Sequence, residues 1–168
     1  WFLDSKTRMN PNLNYGQMIP GRNEGKGRAE GLIDTYSFVE IVDCIDILSS
    51  SKATKQKDFD GFRQWFSDFL DWMLTSEIGK DERAAKNNHG LAYDVQAARY
   101  ALFAGRNDIA DEFINNFADN RLFKQIEPDG SQPLELARTI AMHYSIFNIH
   151  HAMDMCDIAK TRGVDLFS

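Results

Sequence analysis

Apolar side chains recur every three or four positions through most of this 168-residue chain, and no alternating, period-two run of any length appears. That spacing commits the chain to helices whose apolar stripes must be buried against one another. From about Ala29 to Ser49 the stripe is Leu32, Tyr36, Val39, Val42, Ile45 and Leu48, ended by Ser49-Ser50-Ser51. A second helix, about Asp60 to Leu74, aligns Phe62, Phe66, Phe69 and Met73, with Trp65 and Trp72 beside them. Gly79-Lys80 then reads as the start of a polar loop running to Gly90. A third helix, about Leu91 to Phe103, aligns Leu91, Val95, Ala98 and Leu102, and Gly105 suits the position just past its end. Asp108 opens a short fourth helix through Phe117, and residues 120–131 read as a second loop. Pro133, apt for a first helical position, opens a last helix that runs to about Ala159. The expected fold class is therefore all-α: antiparallel helical hairpins forming a bundle or a helical toroid. Five helices do not close a toroid, so upstream hairpins are expected to be absent.

Residues 1–31 depart from the pattern, with Asn10-Pro11-Asn12, Tyr15-Gly16, Ile19-Pro20-Gly21 and Gly25-Lys26-Gly27 as punctuation. An irregular stretch of that length within a compact unit is expected to be ordered and functional. Acidic residues number 25 against 19 basic, a net charge of −6, which argues against a general binder of nucleic-acid phosphates. No run approaches the roughly 18 apolar residues that span a bilayer, and the first residues do not resemble a signal peptide. Trp1-Phe2-Leu3 opens as if a longer protein had been cut, so residues 1–168 are read as a single unit of a larger whole. Cys44 and Cys156 lack any metal-ligand spacing and are expected to be buried free thiols, with a single long-range disulfide as the alternative. His150 and His151, being adjacent, point about 100° apart on a helix and cannot chelate together. Neither a metal nor a cofactor is expected.

Three polar clusters could carry chemistry. Lys86-Asn87-Asn88-His89-Gly90, followed by Tyr93, Asp94 and Gln96, places two amides and an imidazole at a helix start, whose positive end suits a carboxylate. The plainer alternative is that Asn87 or Asn88 merely caps the helix. Glu135, Arg138, His143 and Tyr144 lie on the expected last helix, where Arg138 and Tyr144 would be separated by a rise of ~9 Å and a rotation of about 120°. The alternative there is an Glu135–Arg138 pair on the surface and a half-buried Tyr144. In the opening loop Asn12, Asn14, Tyr15, Gln17 and Arg22 supply the amides, phenol and guanidinium that suit hydroxyl-rich sugars, or simply turn chemistry.

Taken in order, Met9-Asn10-Pro11-Asn12-Leu13-Asn14-Tyr15 with Gln17, Lys86-Asn87-Asn88-His89-Gly90 with Tyr93-Asp94-Val95-Gln96, Gln125 through Pro133 with Glu135 and Arg138-Thr139, and His143-Tyr144-Ser145-Ile146-Phe147-Asn148 resemble the C-terminal half of the alginate lyase domain. The resemblance implies that the helical hairpins are part of an incomplete (α/α) toroid, and it implies β-elimination on a uronate-containing polysaccharide such as alginate, export to the periplasm or beyond, and a preceding half of the same protein that helps wall the cleft. Its partner would be an acidic polysaccharide, not a nucleic acid or a membrane span. Asn88, His89 and Arg138 would neutralise the uronate carboxylate, and Tyr144 would act as base and acid, with His89 the base when the proton lies on the other face. Asn14, Tyr15, Gln17, Arg22, Tyr93 and Gln132 would bind substrate. Tyr144 directly follows His143, one position closer than in the best-known members, where Ser145 would hold the tyrosine. Arg22, Lys26, Arg28, Lys86 and Arg138 are expected to gather into a positive cleft despite the acidic total. A glycan-binding helical protein that does not cleave, and a helical scaffold for protein contacts, are the competing readings.

Overall fold

The structure, a computed structural model, describes residues 1–167. Among these there is no strand, and the helices are α1 Phe38–Ser49, α2 Gln56–Thr75, α3 Glu77–Ala84, α4 Asn88–Phe103, α5 Asn107–Asn115, α6 Phe123–Gln125, α7 Pro133–Leu136 and α8 Ala141–Thr161. Tight turns cover Asn23–Gly25 and Ala29–Thr35, and a wider one spans Ala118–Leu122. The all-helical expectation holds, with consecutive helices packed as hairpins. Among the described residues no helix is long and apolar enough to cross a membrane.

Helix α4 is the hub, packed by α1, α2, α3, α5 and α8. It is buried on nearly every face, from Leu91 through Phe103, and its alanines at 92, 97, 98 and 101 let the neighbouring helices approach closely. Against it α2 lays Trp65, Phe66, Phe69, Leu70 and Met73. Tyr100 of α4 meets Phe66 and Phe69 with ring centroids 5.1 and 5.8 Å apart, and Phe2 of the N-terminal segment packs edge-on to Trp65 at 4.8 Å. Each such ring removed from water contributes roughly 1.5–3 kcal/mol.

Three expected elements differ. The helix expected from Ala29 begins as a 3-10 turn, and α1 starts only at Phe38. Thr35 turns its hydroxyl back to Leu32 O at 2.8 Å and on to Gln96 at 3.0 Å, so a buried contact with α4 overrides the continuous stripe. The expected loop after Gly79 is helix α3. Ser76 caps it by accepting from Gly79 N at 3.0 Å, and Gly79 is needed because a Cβ there would lie 1.9 Å from Met73 O. The expected last helix is two: α7 ends at Leu136, a turn follows, and α8 begins at Ala141. Glu135 and Gln132 are drawn away to α4 and α8, which the helix could not satisfy if it ran straight.

The opening loop is ordered by backbone contact. Gly27 N donates to Asn14 O at 2.7 Å and Arg28 N to Gly16 O at 3.0 Å; a Cβ at Gly31 would stand 2.6 Å from the Gly16 carbonyl carbon. Both cysteines are free, but only Cys156 is buried; Cys44 lies on the exposed face of α1, contrary to expectation. On α8, Met142, Ile146, Ile149 and Met153 form an exposed row opposite the buried Asn148, Ala152, Met155 and Ala159.

Candidate active site

The turn that leads into α4 is built from two amides with different duties. Asn87 is the cap, its Oδ1 accepting from His89 N at 3.3 Å. Asn88 points inward and is fully buried; its backbone N–H and its Nδ2 both donate to the Glu135 carboxylate, each at 2.7 Å. Asn88 thus ties the start of α4 to α7, and in this conformation it does not reach the surface where a substrate carboxylate would lie. Gln125 adds a third tie, donating to Asn87 O at 3.1 Å.

Behind this turn, Arg121 makes four bonds: a fork to Asp94 at 2.7 and 2.9 Å, and single bonds to Ala85 O at 3.0 Å and Arg83 O at 2.8 Å. Burial pushes the Asp94 carboxyl up from its ordinary range while Arg121 pulls it back. Gly90 leaves room for that guanidinium, since a Cβ there would fall 2.5 Å from Arg121 Nη1.

His89 follows directly. Its Nδ1 lies 2.6 Å from Glu82 of α3, whose side chain is 2 % exposed against 14 % for the imidazole. Nε2 makes no hydrogen bond to the described residues and is not among the buried unpartnered atoms, so it lies on the accessible side. Burial pushes the Glu82 carboxyl up, as do Glu30 and Asp34 more weakly, and the contact with His89 works against them.

Arg138 and Tyr144 are not on one helix. Arg138 sits in the turn between α7 and α8, and from there its guanidinium carbon folds over the Tyr144 ring, 3.8 Å from the centroid. This is cation–π contact with the ring face, and the phenol oxygen makes no hydrogen bond to the described residues. Glu135, three residues earlier, is the same residue that holds Asn88, so one short segment joins the His89 turn to the Arg138–Tyr144 pair.

The expected substrate-binding residues divide. Tyr93 is fully buried and donates to Met73 O at 3.0 Å, so it is a core strut. Gln132 is equally internal, donating to Ser145 O at 3.2 Å and accepting from Asn148 at 2.9 Å. These two aromatic and amide side chains belong to the interior because α4 and α8 close over them. Asn14 accepts from Trp72 Nε1 at 2.9 Å. Gln17 stands in the left-handed region with φ 48°, held by bonds to Asp34 at 2.9 Å and from Arg28 at 2.6 Å. Tyr15 and Arg22 are exposed. Of the cations expected to gather, Lys26 pairs with Glu24 at 3.1 Å, and Arg28 reaches Gln17 at 2.6 Å and Glu30 at 3.9 Å. Two grooves of about 570 Å³ each lie elsewhere: one around Tyr36, Arg99 and Asp154, the other around Phe2, Met9 and Trp65. Neither is lined by His89, Arg138 or Tyr144.

Unpartnered buried polar atoms concentrate around the same place: Asn88 Oδ1, Gln125 Oε1, Ser145 Oγ, Asn148 Oδ1 and both ring nitrogens of His151. His151 is fully buried between Tyr36 and Phe147, each with ring centroids 4.0 Å away. Burial, helped by His150 and His89, pushes its imidazole down from 6.5 to about 3. Between those values the unfolded chain takes up the proton and the folded chain does not. Stability is therefore full above about pH 6.5 and declines on acidification. From about pH 6.5 to about pH 5, the protein should lose up to about 1.4 kcal/mol per pH unit more than its His151→Phe variant. Denaturation curves that stay parallel across this range would show that His151 takes up its proton in the native state.

Glu82 and Arg121 were not legible as site residues. Glu82 stands seven positions before His89, on a helix the sequence hides, and nothing local marks Arg121 as the partner of Asp94.

The alginate lyase family model matches residues 1–168. Among solved structures, the chain is similar to an alginate lyase from Bacteroides ovatus, at 54% identity and a TM-score of 0.97. The match covers 100% of this chain and 44% of that one, so the chain spans less than half the length of that structure. No curated protein matches.

Proposed function

Since this chain belongs to the alginate lyase family, we propose that residues 1–168 form one unit of a polysaccharide lyase that cleaves a uronate-containing polymer such as alginate by β-elimination. What most supports this is the fold of Arg138 onto the Tyr144 ring, on a segment tied through Glu135 to the turn that presents His89.

The chemistry asks for three things. The proton on C5 of a uronate is hard to remove while the neighbouring carboxylate is negative, so Arg138, joined by His89 only when its ring is protonated, would balance the charge that builds on that carboxylate. A base then takes the C5 proton, and the electrons left behind form a C4–C5 double bond as the C4–O bond to the leaving sugar breaks. An acid delivers a proton to that departing oxygen. Tyr144, whose hydroxyl makes no hydrogen bond to the described residues, would carry out both proton transfers when proton and leaving group share a face. His89 Nε2 is the base when they do not. Asn88 would contribute from behind, by fixing the turn, and would touch the carboxylate only if Glu135 released it. Tyr15 and Arg22 remain candidates for contact with neighbouring sugars. Export to the periplasm or beyond goes with such a substrate and rests on the family resemblance.

The burial of Asn88 favours a second reading, a helical protein that binds glycan without cleaving it. One assay separates the two. The protein is incubated with alginate while the ultraviolet absorbance of unsaturated uronate is followed, and heat of binding is measured in parallel. Growing absorbance is the expected result. Binding with no unsaturated product would favour the second reading, and neither signal with alginate or other uronate polymers would remove both.

A further inference from the structure

We propose that Glu82 is a positioning residue that keeps a proton on His89 Nδ1, so that everything His89 does toward a substrate is done through Nε2. The proposal deepens the lyase reading and rests on it only for what His89 acts upon; the proton's location follows from the geometry alone. Glu82 Oε1 is 2.6 Å from Nδ1, and the carboxylate is 2 % exposed, too enclosed to trade this contact for water. A carboxylate can only accept, so Nδ1 must donate. Free imidazole prefers its proton on the other nitrogen, and the buried partner reverses that preference. Nε2 is then a lone pair while the ring is neutral and a donor only after the ring has taken a proton.

This gives His89 and Arg138 different tasks. Arg138 always carries donors and can meet a carboxylate at any pH, whereas neutral His89 can take the C5 proton. The charged and titratable groups around the pair are Glu30 and Asp34 of the turn before α1, which act on Glu82, and His151 of α8, which interacts with His89. None of these groups hydrogen-bonds Nδ1 in competition with Glu82.

The test uses nitrogen-15 NMR of the imidazoles, with His89 assigned by its loss in His89→Ala. The expected spectrum of the protein near neutral pH shows the His89 proton on Nδ1. In Glu82→Met, which keeps volume and removes the acceptor, that signature should give way to the ordinary Nε2–H form. Glu82→Gln, which restores an acceptor, should recover it. If the lyase reading holds, kcat should fall roughly 10-fold or more in Glu82→Met with KM little changed, and recover in part in Glu82→Gln. A His89 proton on Nε2 in the unaltered protein, or an unchanged His89 signature in a folded Glu82→Met, overturns the proposal whether or not any polymer is cleaved. An inactive protein with the expected spectra leaves the positioning role standing and removes only the lyase reading.

Discussion

Replacing Arg121 with Ala is expected to destabilise the protein by about 3–5 kcal/mol, the usual cost of leaving one member of a buried ion pair without its partner. Arg121 is 8 % exposed and Asp94 4 %. With the guanidinium gone, Asp94 must either hold a charge away from water or take up a proton, and the carbonyls of Ala85 and Arg83 lose their donor as well. Urea denaturation reads the loss directly. The pairing itself contributes less than its removal suggests, because both ions were desolvated to form it. A double variant, Arg121→Met with Asp94→Leu, should therefore regain much of the stability. A single variant that loses less than about 1 kcal/mol would show that Asp94 finds another partner or reaches water. Since Ala85 and Arg83 flank the approach to the His89 turn, activity should fall in Arg121→Ala even under conditions where most molecules are folded.

Tyr144→Phe deletes one oxygen and leaves the ring under Arg138. Stability should change little, because the phenol hydroxyl has no hydrogen-bond partner among the described residues. On the proposed lyase reading, turnover should drop by at least about 10²-fold, the usual loss on removing a positioned acid or base, which is about 2.7 kcal/mol of barrier. The loss should appear in kcat, with KM nearly constant, since the hydroxyl matters to proton transfer and little to holding the polymer. Production of unsaturated uronate at the original rate by the Phe variant would exclude Tyr144 from both proton transfers. His89 Nε2 would then be left as the sole base in the scheme.

The hub of the fold could be read from the residues: the Leu91, Val95, Ala98 stripe of α4 and the Phe62, Phe66, Phe69 stripe of α2 are strong because long helices repeat their apolar positions many times. Helix α3 was hidden because its eight residues, Glu77 through Ala84, carry a single large apolar side chain, Ile78, and one such residue sets no period. The break after Leu136 was hidden for a different reason. Nothing at positions 137–140 forbids a helix; the chain bends because Glu135 and Gln132 find better partners on neighbouring elements. His89, Arg138 and Tyr144 are singled out by the resemblance to the alginate lyase domain, because residue type and position alone leave each with a plain structural alternative. Tyr93 and Gln132 were misplaced because a phenol and an amide look the same in sequence whether they face a sugar or the inside of the protein. Glu82 depends on a contact between α3 and α4 that only the packed chain defines.

The bend between α7 and α8 sets the terms on which related chains can diverge. Two side chains on an unbroken helix meet only at certain separations, and adding or deleting one residue swings them about 100° apart. Arg138 instead approaches Tyr144 from a non-helical turn, so an insertion or deletion at 137–140 could be absorbed locally while guanidinium and phenol stay together. Homologous chains are therefore free to count different numbers of residues between these two groups and still arrive at one arrangement of charge and hydroxyl.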